Sequence, residues 1–491
     1  MSPKPQIKIA ILGAGPGGLT LASLLSTSPS PQISYTLFDL RARPSPVQLS
    51  LPSGSLDLHA DSGLLGLSAC NLTSQFQALK QECSEASIIA DSRGEVHWSD
   101  EGFGQRPEIA RNKLTELLLG QVDEGSVRWG CKVVGVEEDT SFSSEKRRWI
   151  VRYKTQAPSN SEPGPASTPP EIKEESFDIL IGCDGAHSRI RSLLTPIHPH
   201  YSSISCLTLT IPHISTSHPS LSNTIGTGSF MAMSHLKAVM SQRGAEDSAR
   251  VYLMLRTESE SHLQDYGIAS LCSSPLKLKE RLLGDESLFG GSNWGEGIRE
   301  LISVGCDAEM EAMAKETDMV SSTTNEKKKT YEREGITARP LYMLPVDFTW
   351  PHKRGLTLLG DAAHLMTPFA GEGVNCAMKD ALELSKAISS SFQDSTSKSS
   401  TQGHLDSNGV EEVLQRVDTN IAAYEKEMWQ RVHPIQEETL RNLHMMMDDV
   451  DAPRGFVEWM RGMIEAAMAG QGAAEERGDM RGGNEMEDTQ N

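Results

Sequence analysis

Four short apolar runs rich in β-branched residues and leucine punctuate an otherwise mixed chain: Ile7–Leu12, Ile33–Phe38, Phe177–Gly182 and Gly355–Leu359. Such runs predict strands buried on both faces. Between the first two, Leu19–Leu25 is apolar over a helical length, which predicts a strand–turn–helix–strand unit. Arg111 opens a second predicted helix, Asn112–Leu119. Alternating apolar positions predict strands around Val127–Glu137 and Trp149–Tyr153. The stretch from 200 to 350 mixes both patterns, with Ser205–Ile211 and Arg250–Arg256 reading as strands. A helix is predicted from Gly373 to Ile388, and further helices from Val410 to about Met447.

Other stretches lack periodicity. Residues 156–175 are rich in Ser, Pro and Glu and read as a flexible hairpin insertion, and 389–408 is a Ser-rich loop. The acidic end, 469–491, reads as disordered.

The formal net charge of −20 argues against a nucleic-acid partner, whose phosphates attract basic surfaces. Eight cysteines form no CxxC and no metal-type spacing, so no metal site is expected and the thiols fit a reducing cytoplasm. A first strand by Ile7 leaves no room for a signal peptide, and no apolar run reaches the ~18 residues of a membrane span. A soluble chain, with a monomer favoured, is the expectation.

Three segments carry chemistry. The first is Gly13-x-Gly15-x-x-Gly18 between strand and helix. Gly13 makes a tight turn, Gly15 lets backbone approach a pyrophosphate, and Gly18 lets helix pack on strand. The helix N-terminus then faces the phosphates. Asp39 closes the second strand, where a carboxylate accepts hydrogen bonds from a ribose. That favours FAD or NAD over NADP. The second segment is Gly182-Cys-Asp184-Gly185-Ala-His-Ser188-Arg-Ile-Arg191, where Asp184 follows a buried strand. The third runs from Leu359-Gly360-Asp361 through Pro368 to Gly371-Glu-Gly373-Val-Asn375. Asp361 can bond a flavin ribityl chain, and the loop holding Pro368 and Gly371 can flank the ring. Gly373 and Asn375 open a helix whose dipole steadies charge on a reduced flavin.

With these segments in place, the chain resembles the single-component FAD-dependent aromatic hydroxylases, the p-hydroxybenzoate hydroxylase group. Within it, the chain is similar to the tetracycline-inactivating monooxygenases. The likeness lies in Gly54-Ser-Leu-Asp57-Leu-His59, Pro107-Glu-Ile-Ala-Arg111-Asn112 and Gly360 to Asn375. It implies non-covalent FAD contacts at Asp57, Arg111 and Asp361, and an adenosine contact at Asp39. It also implies NADPH or NADH as a visiting co-substrate and a C4a-hydroperoxyflavin that hydroxylates a small aromatic or polyketide-like metabolite. Three positions depart: Leu40 and Ser50 stand where relatives carry arginine, and so does the region of Phe230, although His235 keeps its place. Phe230, Met231, Met233 and His235 are candidate substrate contacts. His364 reads as a packed histidine rather than a catalytic one.

The predicted fold class is therefore α/β. A Rossmann-like FAD-binding domain (1–72, 100–191, 340–390) holds an inserted sheet-plus-helix substrate domain (73–99, 192–339), and a C-terminal helical segment (409–450) follows. Three readings stay open beside the hydroxylase: a flavin reductase or oxidase without oxygen insertion, a flavin-binding protein without turnover, and an NAD-dependent dehydrogenase. A halogenase would carry WxWxIP, and no WxW occurs.

Overall fold

The structure is a computed structural model that describes residues 6–27, 33–79, 84–102, 104, 106–139, 148–155, 171–322, 335–392 and 407–466. Most of the serine-rich stretches at 156–175 and 389–408, and all of 469–491, lie outside the described residues.

The apolar runs assemble as predicted. A five-stranded parallel sheet has the order Leu356–Leu358, Ile179–Gly182, Ile7–Leu12, Ile33–Phe38, Val127–Arg128. Ile9, Ile11, Leu37, Leu180, Ile181 and Leu358 are wholly enclosed in it. The helices Pro16–Thr27 and Gly373–Ser390 share its core. A three-stranded antiparallel sheet (Cys131–Glu138, Trp149–Thr155, Ile172–Phe177) joins the same core. Phe38 fixes that junction, with ring centroids 5.1 Å from Tyr153 and 5.9 Å from Phe177. The run Phe177–Gly182 is not one strand. Phe177 ends the antiparallel sheet and Ile179 begins the parallel one. Asp178 marks the switch, accepting from Lys8 N–H at 2.8 Å and Arg148 Nε at 3.0 Å.

Two glycines bring these pieces together. Gly13 has φ +114°, and a Cβ there would lie 2.1 Å from the Cys183 carbonyl oxygen. A Cβ on Gly18 would lie 2.0 Å from the Gly13 carbonyl oxygen. Strand end, helix start and the Cys183 turn meet only because both positions lack a side chain.

The second sheet has seven strands in the order Thr337–Met343, His200–Ile211, Ser248–Arg256, Lys237–Gly244, Ser229–Ser234, Ser87–Asp91, Val96–Asp100. Its side chains alternate between two faces. Phe230, Ala232, Val239, Leu253 and Leu207 pack with Leu278, Leu282, Ile298 and Ile302 of the helices Pro275–Gly284 and Glu296–Ser322. Met233, Ala238, Met254 and Cys206 face the other way, towards Phe369, Leu443, Met446 and Met447.

Three placements differ from the sequence reading. The helix Thr73–Leu79 buries Phe76 in the first core, so the crossing to the second sheet falls after it. Residues 340–343 belong to the second sheet, because Thr337–Met343 pairs along His200–Ile211. The region Val410–Met447 is one 41-residue helix, Ser407–Met447, that continues through Pro434. Its apolar stripe covers both cores: Val413, Val417, Ile421, Tyr424 and Met428 on the first, Leu443, Met446 and Met447 on the methionine-rich face. A helix at 454–466 adds Phe456 and Val457 to that face. No helix among the described residues is long and apolar enough to cross a membrane.

Replacing Gly13 with alanine forces both a disfavoured φ and a carbonyl clash, and should cost about 2 kcal/mol or more. Urea unfolding of the Gly13→Ala protein checks this; an unchanged midpoint would contradict the close approach.

Candidate functional site

The glycine turn opens a cradle at the end of strand Ile7–Leu12. Unlike its neighbours Gly13 and Gly18, Gly15 faces open space: a Cβ there meets no atom within 4 Å. A glycine that packing does not require, at the N-terminus of a helix, fits a site kept clear for a pyrophosphate.

Asp39 sits beside it, 6% exposed. Its Oδ2 accepts Ala14 N–H at 2.7 Å, which ties the second strand to the turn. Arg41 grips the same carboxylate, with Nε 3.0 Å from Oδ1 and Nη2 2.9 Å from Oδ2, and Nη2 also reaches the Ala14 carbonyl at 2.9 Å. Burial pushes the Asp39 carboxyl up, but the hydrogen bonds and charge of Arg41, with the Ala14 N–H, outweigh it and hold the pKa below the ordinary range. The missing family arginine at Leu40 thus has a counterpart one residue later; Leu40 itself points outward, 53% exposed.

The second and third segments meet through Arg191. Its side chain is buried, and its guanidinium donates to three carbonyls: Ala186 at 2.6 Å, Ala362 at 3.0 Å and Asp361 at 3.4 Å. Burial lowers its pKa, with Asp184 and Asp361 acting against that fall. Asp184 turns back on its own loop, accepting Arg189 N–H at 2.8 Å, while its Oδ1 has no partner. Asp361 is accessible but recessed. The surrounding protein pushes its carboxyl pKa up, and His364, Arg111 and Arg191 pull against that. Arg111 is exposed at the head of Arg111–Leu119 and makes no side-chain hydrogen bond to a described residue. Asp361 and Arg111 are thus free to engage a ligand.

The loop Pro368–Ala370 and the helix Gly373–Ser390 bring the remaining candidates together. Gly371 has φ +72°, and a Cβ there would lie 3.4 Å from Asp57 Oδ1. Asn375 is fully buried and clamps the ribbon: its Oδ1 accepts His59 N–H at 2.9 Å and its Nδ2 donates to the Asp57 carbonyl at 3.1 Å. Gly373 faces open space, and the first-turn N–H groups have no acceptor within the helix. Gly15, Asp57, Arg111, Asp361 and the Gly371–Asn375 turn are together suited to FAD.

Three contributors were not singled out from sequence. His59 bridges Asp57 and Glu372, each at 3.0 Å. Hydrogen bonds to Asp57 and then Glu372 raise its pKa to about 9, against burial. Glu108 lies opposite Asp57 in the ribbon Ser55–Asp57 / Glu108–Ala110. It is buried, Oε2 has no partner, and burial raises it to about 7. Asp380 is enclosed and takes Gly360 N–H at 2.9 Å, His364 Nε2 at 2.6 Å and Arg431 Nη2 at 2.8 Å. Histidine within two residues of Asp57 was a visible signal; the partners across the chain were not.

The substrate candidates divide. Phe230 is buried against the helices, on the sheet face turned away from Phe369. Strand alternation puts Met231 and Met233 on the Phe369 side instead. His235 is exposed in the hairpin turn between Ser229–Ser234 and Lys237–Gly244. Among the described residues one trio has ligand atoms within 4.8 Å of one another, Asp91, Glu95 and His97, but Asp91 Oδ1 already accepts the turn N–H groups of Arg93 and Glu95.

A glycine-turn parallel sheet with a second sheet over its ring loop defines an FAD-binding protein of the α/β class. A family model described as an FAD binding domain matches residues 348–402. The chain is 34% identical over 461 residues to the monooxygenase asqM of Emericella nidulans, covering 89% of this chain and 95% of that protein. It is likewise 34% identical over 437 residues to the monooxygenase penA of Penicillium thymicola, covering 84% and 92%. The chain therefore belongs to the FAD-dependent monooxygenases. Its fold is similar to that of Klebsiella pneumoniae HpxO complexed with FAD and uric acid, with TM-score 0.59, 16% identity and 93% of each chain covered. It is also similar to CtdE in complex with FAD and a substrate, with TM-score 0.62, 15% identity and 91% and 92% covered.

The His59 bridge generates a pH prediction. A folded pKa near 9 against an ordinary 6.5 means the bridge contributes fully below pH 6.5 and is lost as pH rises through 9. Denaturant unfolding should show the native chain losing on the order of 2 kcal/mol more than His59→Gln across that window; equal losses would remove the charged bridge from the account. Gly15→Val should fold normally yet bind FAD at least ~100-fold more weakly by fluorescence titration, because the new side chain occupies ligand space and not packed protein.

Proposed function

We propose that the chain uses NADPH or NADH and O2 to hydroxylate a small, largely apolar aromatic or polyketide-like metabolite. The observation that carries this reading is the double contact of the ring loop. Gly371 approaches Asp57, within the FAD candidates, while Phe369 packs with Met233 and Met254 on the second sheet. A molecule on the methionine face beside Phe369 would thus lie next to the flavin ring. Methionine and aromatic walls suit an irregular apolar substrate. The fungal relatives named monooxygenases support the same reaction class.

Bound FAD would supply hydride acceptance and O2 activation. The chain's own residues have the roles of holding and shielding. Gly15 and the helix Pro16–Thr27 would receive the pyrophosphate, and Asp39 would accept hydrogen bonds from the adenosine ribose. Arg111 and Asp361 hold the ribityl side, and Asp57 meets the ring loop at Gly371. The first turn of Gly373–Ser390 would offer N–H groups and the positive end of its dipole to negative charge on a bound flavin. His59 adds a positive charge between Asp57 and Glu372. Glu108 holds its proton up to a pH of about 7. Asp184 steadies its own turn, and Arg191 keeps that turn against Asp361 and Ala362. Phe369, Leu443 and Met447 are buried together on the methionine face and would keep water from a molecule bound beside them, which protects an activated-oxygen reaction. No side chain is required as a nucleophile. The reduced thiols fit a cytoplasmic setting.

Turnover under 18O2 with NADPH, across phenolic and polyketide-like compounds, tests the proposal. One labelled oxygen atom should enter the product. NADPH consumed with product free of the label would replace hydroxylation by reduction or oxidation without oxygen insertion.

A further inference from the structure

The turn Asp361–His364 has two functional sides. Asp361 faces Arg111 and Arg191, whereas the His364 ring turns to Asp380 and, through it, Arg431. On the His364 side lies a recess of about 290 Å³, partly open to solvent, between residues 347–349 and the long helix. Neither the flavin contacts nor the methionine face enters it.

Phe348, Trp429, Met428 and Val432 make its walls mainly apolar. The Trp429 ring is held edge-on to Trp350, with centroids 5.1 Å apart, and Trp350 Nε1 is anchored on Glu425 at 3.2 Å. One polar side chain stands out. Gln436 lines the cavity and is 4% exposed, yet its amide has no hydrogen-bond partner among the described residues. Its donors and acceptor open onto the recess, where a bound molecule or water can pair with them. Trp429 Nε1 and His364 Nδ1, from two more lining side chains, are also without partners. The volume would hold several waters or one ring-sized molecule.

We propose that this cavity is a second small-molecule site that takes a neutral planar aromatic amide or lactam. The aromatic ring packs against Phe348 and Trp429, and the amide pairs with the Gln436 carboxamide, a donor and an acceptor on each side. Asp347 and His433 also line the recess but are paired with each other, which leaves Gln436 as an unpaired polar side chain for a neutral partner. The inference does not depend on the hydroxylation reading. Its ligand lies close to the flavin strand, since His364 and the Gly360 N–H share Asp380.

The test uses the full FAD-loaded chain with benzamide as the probe, read by the indole N–H signals of its seven tryptophans. The Trp429 signal is the one lost in Trp429→Phe. Benzamide should move that signal saturably, Gln436→Leu should weaken the response ~10-fold, and Val432→Phe, which fills the space, should abolish it. Retained dispersion of the other indole signals shows that each variant is folded. Three results would overturn the proposal: no saturable shift up to about 10 mM benzamide, a response undiminished in Gln436→Leu, or a Trp429 N–H that exchanges magnetisation only with water. The readout requires no turnover, so failure of the hydroxylation reading leaves it interpretable.

Discussion

The architecture depends on a contact where no side chain fits. Gly13 and Gly18 let the end of strand Ile7–Leu12, the start of helix Pro16–Thr27 and the Cys183 turn come together within a carbon–oxygen contact. Any Cβ at either position would push the helix off the sheet. Because the helix starts there, its N-terminal dipole and free N–H groups open beside Gly15, where space is left. Backbone sterics therefore determine both the core and the open space beside Gly15 that is proposed to receive a phosphate.

Around that contact, distant segments are joined by buried charge with satisfied partners. Arg191 reaches three carbonyls on two segments, and Asp380 gathers a backbone N–H, a histidine and Arg431. His59 joins the ribbon to the ring loop through two carboxylates. Isolated buried charges would be costly, but each of these is paired or hydrogen-bonded to several carbonyls. They hold the recess around Asp361 rigid while Asp361 and Arg111 remain uncommitted. That division, rigid connectors around free ligand groups, is what a preorganised cofactor site requires.

Much of this was legible in the sequence, for identifiable reasons. The parallel strands were visible because continuous apolar runs encode burial on both faces. The glycine turn and Asp361 stood out because a glycine-opened helix and a strand-end carboxylate have a mechanical reason, whereas Asp57 and Arg111 were expected only through the family resemblance. Illegible features were those set by pairing across the chain. Phe230 lies on the sheet face covered by helices and not on the Phe369 side, because strand phase depends on which neighbour covers each face. The region Val410–Met447 read as more than one helix, but an apolar stripe spanning two cores keeps Ser407–Met447 whole through Pro434. Arg41 grips Asp39 one residue beyond the position where relatives carry arginine, a pairing that only geometry reveals. Glu108 carried no local signal, since its character comes from burial opposite Asp57.

The central claim is that three segments far apart in sequence build one non-covalent FAD site. The direct measurement is flavin stoichiometry: reconstitution of the purified chain with FAD, removal of the excess, and absorbance before and after denaturation. About one FAD per folded chain, fully released on unfolding, is the predicted result. A folded chain that takes up no flavin, or keeps it after unfolding, would contradict the account.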